Sequence, residues 1–329
     1  MTATRPTHPA DPGARGTLDK ATAENFPVAP FFLPRASREH IMALYGYARL
    51  VDDIGDGDLA PGGADARHLG VDPADADDRL IMLDAFEADL RRVFAAPGDG
   101  SPRDGSDGPG SDGPGTDGPG SEPRHPLLRA LRPTVRARSL TIEPFLGLIE
   151  ANRQDQLVTR YETYDELLAY CELSANPVGN LVLQVGGVLS PERLRRSDAI
   201  CTALQIVEHL QDVSEDLAAG RIYLPAEDMR RFHVSETDLS AATGNASVRA
   251  LVAYQADRAR RLLDEGAPLV GSVDGRLRLL LAGFVAGGYA ALAAIRSAGH
   301  DVLPGPPRTA RTRLLRETGA VLRRTRKER

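Results

Sequence analysis

The stretch that most constrains the chain runs from Gln205 to Pro225: Gln-Ile-Val-Glu-His-Leu-Gln-Asp-Val-Ser-Glu-Asp-Leu-Ala-Ala-Gly-Arg-Ile-Tyr-Leu-Pro. Helical spacing puts Gln205, Glu208, Asp212 and Asp216 on one face, with Glu215 at its edge. Leu204, Ile206, Val207, Leu210 and Val213 flank that face and turn it toward the interior, where repulsion between stacked carboxylates is least screened. Such a face calls for a cation. Mg2+, a hard ion that takes oxygen ligands and shares its shell with phosphates, is the simplest choice. The competing reading is a solvated helix face, as most charge runs are.

A second acidic group bears on that choice. Between Ser37 and Asp56 the residues Ile41, Leu44, Tyr45 and Ala48 recur at helical spacing, and the same rotation lands Asp52 and Asp56 on their face. Asp52, Asp53 and Asp56 at a helix C-terminus oppose both helix propensity and the helix dipole, a local conflict of the kind functional sites carry. The faces Asp52-x-x-x-Asp56 and Asp212-x-x-Glu215-Asp216 point to a cavity in a helical bundle, where Mg2+ ions clamp a diphosphate.

With Arg49 one turn before the first cluster and Arg221-Ile-Tyr-Leu-Pro225 after the second, the chain resembles the squalene/phytoene synthase family. Glu24 to Val28, Ala48 to Ile54, Tyr170 to Gly179 and Ala203 to Pro225 are similar to its hopanoid-pathway branch, the hydroxysqualene synthases. The resemblance implies an all-α fold, a trans-prenyl-synthase (terpenoid synthase) bundle around one central cavity over residues 21–303. It implies several Mg2+ ions on Asp52, Asp56, Glu208, Asp212 and Asp216, with Asp52, Asp56, Asp212, Asp216 and Tyr161 as the catalytic set. Asn25, Arg49, Ala175, Gly179, Gln205, Arg221, Tyr223 and Tyr289 are the implied substrate contacts.

The implied reaction is ionisation of presqualene diphosphate with water capture to hydroxysqualene; the alternative within the family is head-to-head condensation of two prenyl diphosphates to squalene or phytoene. Two departures favour the first. Glu24 and Asn25 stand in a region where relatives carry small polar or basic phosphate contacts, and Glu208 stands where many relatives have Asn. NADPH is not expected, since the chain has no Gly-x-Gly-x-x-Gly stretch outside the low-complexity repeat of residues 97–123, although relatives that use NADPH lack the fingerprint too. A reading of another class is a non-catalytic, lipid-binding helical scaffold. Downstream isoprenoid enzymes are further candidate partners.

A net charge of −6 argues against nucleic acid as the main partner. Cys171 and Cys201 form no Cys-x-x-Cys pair and support neither a disulfide framework nor structural zinc. Residues 1–20 read as a flexible leader without a signal core, which points to a cytoplasmic location. Residues 57–77 read as a loop, and Leu80, Leu83, Phe86, Leu90 and Phe94 mark a helix. Helical pattern resumes at His125, broken by Pro133 and Pro144, and another helix starts at Tyr164 and kinks at Pro177. On the residues alone, Asp155 and Tyr161 form a capping or packing pair, and Gly179 serves either a channel wall or helix packing. His209 reads as packing.

Leu279 to Ile295 is uncharged and rich in Gly and Ala, which fits a helix packed on all sides better than a membrane span. The basic tail, 304–329, reads as a frayed terminus or as an amphipathic segment lying on anionic lipid, a peripheral membrane contact. Residues 97–123 repeat Gly-Ser/Thr-Asp-Gly-Pro and read as a disordered surface insert. Deleting residues 98–120 is therefore expected to leave turnover and melting temperature essentially unchanged, because loop-closure entropy varies slowly with length. A large loss of activity in a normally folded deletion would make the insert a lid.

Overall fold

Residues 17–18, 32–59, 62–95 and 122–325 are described by the computed structural model. Glu24, Asn25, most of the leader, the insert up to residue 121 and residues 326–329 lie outside them.

The helix that carries the first acidic cluster, α1, spans Arg35–Asp56. Its buried ridge is Leu44, Tyr47, Leu50, Val51 and Ile54, whereas Tyr45 and Ala48 are only half-buried. The expected face is thus the flank of the core ridge, and it leads to the site. The Tyr47 hydroxyl donates to the Phe145 carbonyl at 2.8 Å, and its ring lies 5.4 Å from Phe86 and 4.9 Å from Phe145. These contacts staple α1 to α3 (Arg79–Phe94) and α5 (Glu143–Asp155). Between α1 and α3 the expected loop contains a short helix, α2 (Ala64–Leu69), with Asp65 in its first turn and Arg67 and His68 in its last, as the dipole favours.

Proline placement departs from the expected breaks in both directions. Pro133 sits inside α4 (Pro126–Arg138), where burial of Leu127, Leu128, Leu131 and Val135 outweighs one lost N–H bond. Pro177 does not kink one long helix. The ladder is interrupted at Ala175 (φ −115°, ψ −46°), separating α6 (Tyr164–Ser174) from α7 (Asn176–Val185), and Pro177 occupies the first turn of α7, where its missing N–H matters least.

The second acidic cluster likewise spans a break rather than one helix. Helix α8 (Pro191–Gln211) ends at Asp212 (φ −105°, ψ 14°), and α9 (Val213–Ala218) follows; Gly220, at φ 81°, terminates it. Then come α10 (Ala226–Arg231), α11 (Glu236–Leu239), α12 (Ala246–Gly266), a 3-10 turn over Ala267–Ser272, α13 (Gly275–Ser297) and α14 (Arg311–Arg324). No strand occurs among the described residues; a single parallel bridge joins Arg160 to Ile222.

Helix α8 packs on α7 and α12, α13 packs on α12 and α14, and α1 contacts α3, α4, α5 and α7. Among the described residues α13 is the one helix long and apolar enough to cross a membrane, yet 67% of its apolar window is buried inside the bundle. The tail is not frayed over 311–325. Val321 is buried, and Arg278 Nη2 donates to the Leu322 and Thr325 carbonyls at 3.1 and 2.8 Å, so α14 docks on α13 beyond the expected limit at 303. Arg311, Arg316, Arg323 and Arg324 remain exposed.

The return of the chain after residue 121 is held by Asp89, which is fully buried on α3. Its carboxylate accepts the backbone N–H groups of Arg124 and His125, both at 2.8 Å, and pairs with Arg92 at 2.8 Å. This fixes the start of α4, which supports α1. Asp89→Ala is expected to destabilise the protein by about 1–3 kcal/mol, because it removes the buried acceptor of the Arg124 and His125 amides. Denaturant unfolding checks this; a change below about 1 kcal/mol would show that the clamp is dispensable.

Candidate active site

Helix α1 ends, and α8 breaks, on opposite walls of one pocket of about 250 Å³. Asp52 and Asp56 face it from α1, Glu208, Asp212 and Asp216 from α8 and α9, and Asp155 from the end of α5. Six carboxylates therefore meet two arginines, Arg49 and Arg221, and the imbalance leaves negative charge unneutralised. Arg49 is further engaged by its own helix: Nε lies 2.9 Å from Asp53, one turn on. Arg221, just past Gly220, reaches across to Asp56 at 3.1 Å.

The acid side chains register that imbalance. Burial, opposed by a hydrogen bond from Asn152 and reinforced by Asp56, pushes Asp52 up to about 7. Burial and Asp212 raise Asp216 to about 7, and burial and Glu215 raise Asp212 to about 6. Asn152 Nδ2 donates to Asp52 Oδ1 at 3.2 Å, and this approach depends on Gly55: a Cβ there would lie 1.9 Å from Asn152 Oδ1.

Below the carboxylates lies an aromatic wall. The segment from Thr159 and the one that runs from Ile222 into the start of α10 pair through Ile222 N–H to the Thr159 carbonyl at 3.0 Å and Ala226 N–H to the Tyr161 carbonyl at 2.9 Å. This brings Tyr223 over His209, with centroids 3.7 Å apart and planes 11° apart. The Tyr170 and Tyr223 hydroxyls both donate to Asp155, at 2.7 and 3.0 Å. Burial, with Arg221 nearby, drives His209 down to about 3, so the ring is neutral and packs, while Gln205 Nε2 lies 3.3 Å from its Nε2.

Nine of the residues singled out in the sequence thus share the pocket: Arg49, Asp52, Asp56, Gln205, Glu208, Asp212, Asp216, Arg221 and Tyr223. Others stand elsewhere. Tyr161 is buried behind Tyr223, 5.8 Å between centroids, with Gln154 donating to its hydroxyl at 3.4 Å. Gly179 makes a helix contact: a Cβ would lie 2.3 Å from Ser197 Oγ and 2.6 Å from Cys201 Sγ on α8. Tyr289 donates to Asp264 at 2.6 Å under Arg260 and is not on the pocket wall. Ala175 is buried at the α6–α7 break, beside Ser174, which does line the pocket. Sequence reasoning missed Asn152, Ser174 and Tyr170 as pocket residues; Tyr170 to Gly179 was a signal, but not of which side chain turns inward.

Ser174 Oγ and Arg221 Nε are buried and make no hydrogen bond to the chain. Among the described residues, no three His, Cys, Asp or Glu side chains stand close enough to chelate one ion unaided.

An all-helical frame with two acidic helix ends facing across a pocket is matched by known proteins. The squalene/phytoene synthase family model matches residues 20–316, and the chain belongs to that family. It is 33% identical over 257 residues to a hydroxysqualene synthase of Sinorhizobium fredii, covering 78% of this chain and 73% of the relative. It is 31% identical over 255 residues to a 15-cis-phytoene synthase of Synechococcus elongatus, covering 74% and 70%. Among solved structures, squalene synthase HpnC from Alicyclobacillus acidocaldarius superposes with a TM-score of 0.68 at 39% identity, over 87% of this chain and 95% of that one. A dehydrosqualene synthase shares the fold, with a TM-score of 0.71 at 20% identity over 94% and 95%.

The raised acids set a stability test on metal-free protein. A carboxyl whose folded-state pKa lies above its ordinary value disfavours the fold once ionised, so the penalty is absent below about pH 4 and full above about pH 7. Asp52→Asn and Asp216→Asn are therefore expected to hold or raise the melting temperature at pH 8 in chelator and to lose that advantage at pH 4. Calorimetry at both pH values checks it; a fall at pH 8 would mark these residues as structural.

Proposed function

We propose that the chain ionises presqualene diphosphate and captures the rearranged cation with water, giving hydroxysqualene and diphosphate, a lyase reaction on a prenyl diphosphate. The observation that carries it is the convergence of six carboxylates and Arg221 on one pocket floored by aromatic rings. The relatives named hydroxysqualene synthase and squalene synthase support the branch.

The residues fit Mg2+. Every anionic donor on the wall is a carboxylate oxygen, and the charge is uncompensated. Among the described residues no three of them close a cage unaided, and Mg2+ characteristically keeps waters and takes further ligands from substrate phosphate. Asp52, Asp56, Glu208, Asp212 and Asp216 would hold such ions, which when bound supply charge neutralisation to a departing diphosphate. Arg221 offers its buried, unpartnered Nε to the diphosphate oxygens. Arg49, tied to Asp53, holds the end of α1 in place. Tyr170, Tyr223 and neutral His209 line the pocket with polarisable aromatic surface that would stabilise a carbocation and limit stray water. No protein nucleophile and no reductant enter, so NADPH is not required.

The phytoene synthase relative supports a second reading, condensation of two prenyl diphosphates. Product analysis separates them. Presqualene diphosphate with Mg2+ is expected to give an alcohol with or without NADPH; formation of squalene or phytoene from simple prenyl diphosphates would replace this proposal with the second. Asp212→Asn is expected to lower turnover by about a hundredfold or more. Glu208→Asn keeps an oxygen ligand but removes a charge, and is expected to raise the Mg2+ concentration for half activity by about threefold to tenfold, with recovery at saturation. Unchanged magnesium dependence would remove Glu208 from the ligand set.

A further inference from the structure

A reaction that ends in water capture needs a group to hold that water, and the pocket's hydrogen bonds narrow the choice. Asn152 is committed to Asp52 and to the Leu148 carbonyl, at 3.2 and 3.1 Å. The Tyr170 and Tyr223 hydroxyls donate their protons to Asp155, and the Gln205 amide nitrogen lies against His209. The carboxylates facing the two arginines are the anionic end of the pocket, where the diphosphate and its counter-ions belong. Ser174 stands apart: its hydroxyl is buried, lines the same pocket and has no partner in the chain. A buried hydroxyl left unpaired costs about 1–3 kcal/mol, which a ligand or water at this position would recover.

Ser174 is the last residue of α6, one turn after Tyr170 and therefore on the same face. The ladder stops at the next residue, Ala175, whose backbone has left the regular helix. The hydroxyl is thus presented at a helix end beside the aromatic wall.

We infer that Ser174 is the positioning residue for the capturing water, and hence a determinant of whether the cation ends as an alcohol. This rests on the ionisation and capture reaction proposed above. A serine hydroxyl suits the task because it both accepts and donates a hydrogen bond, yet is too weak a base to take a proton from the cation's carbon chain. It accepts one water O–H and so leaves an oxygen lone pair directed at the cation. In the balanced step, the carbon–oxygen bond to diphosphate breaks and its electron pair leaves with the diphosphate. The water lone pair then forms the new carbon–oxygen bond, and the surplus water proton passes to an oxygen of the released diphosphate. Ser174 holds the water and keeps no proton.

The test compares wild type, Ser174→Ala and Ser174→Thr on presqualene diphosphate with Mg2+, measuring the rate of diphosphate release and the ratio of alcohol to hydrocarbon products. Ser174→Ala is expected to release diphosphate within about threefold of wild type while the alcohol-to-hydrocarbon ratio falls about tenfold or more. Ser174→Thr, which keeps the hydroxyl, is expected to retain the alcohol as main product. A wild-type ratio in Ser174→Ala, or equal losses in Ala and Thr, would overturn the assignment while leaving the capture reaction standing. Wild type that releases diphosphate but forms no alcohol would overturn the reaction and this inference together.

Discussion

Everything at the pocket follows from carboxylates held too close together in too little water. Asp52 and Asp56 on α1, and Asp212 and Asp216 where α8 gives way to α9, are kept there by packing that has nothing to do with charge. Tyr47 locks α1 to α3 and α5, and the contact of α8 with α12 and α7 sets the opposite wall. Packing energy on the apolar ridges holds the acids in place, and burial first, with neighbouring carboxylates second, raises the acid values of Asp52, Asp212 and Asp216. On the reading proposed above, a cation and a polyanion entering together would relieve both the repulsion and the deficit.

The polar floor is organised around Asp155 rather than around a metal ligand. One carboxylate accepts two tyrosine hydroxyls, and that anchors rings contributed by α6 and by the segment after Gly220. Held from their polar ends, these rings pack on one another and on His209, so the wall they form is stacked and well ordered.

The acidic faces were legible because a 3.6-residue period survives in the sequence wherever a helix has one wet and one dry side, as at Ile41 to Asp56 and at Glu208 to Asp216. The interruptions were not. A pattern that continues through Asp212 reads the same whether the helix bends, breaks or runs on, and Pro177 is equally at home in a kink or a first turn. Partner choice between distant segments was least visible. Gly179 meets Ser197 and Cys201, Tyr289 meets Asp264, and Tyr161 lies behind Tyr223, each decided by how two helices or two extended segments happen to cross. The unpaired hydroxyl of Ser174 has no signature in one dimension, since a missing partner is a property of three.

The break at Asp212 divides the labour of that wall. Helix α8 is anchored along its length, whereas α9 has a single buried side chain, Val213, and a tether from Ser214 Oγ to the Leu303 carbonyl at 2.8 Å. Segments with few buried contacts open at low free energy. Asp216 therefore rides on a less anchored element than Glu208, and the wall has a firm half and a looser one. In the reaction proposed above, a diphosphate held by both halves would have a route out that leaves the bundle core undisturbed.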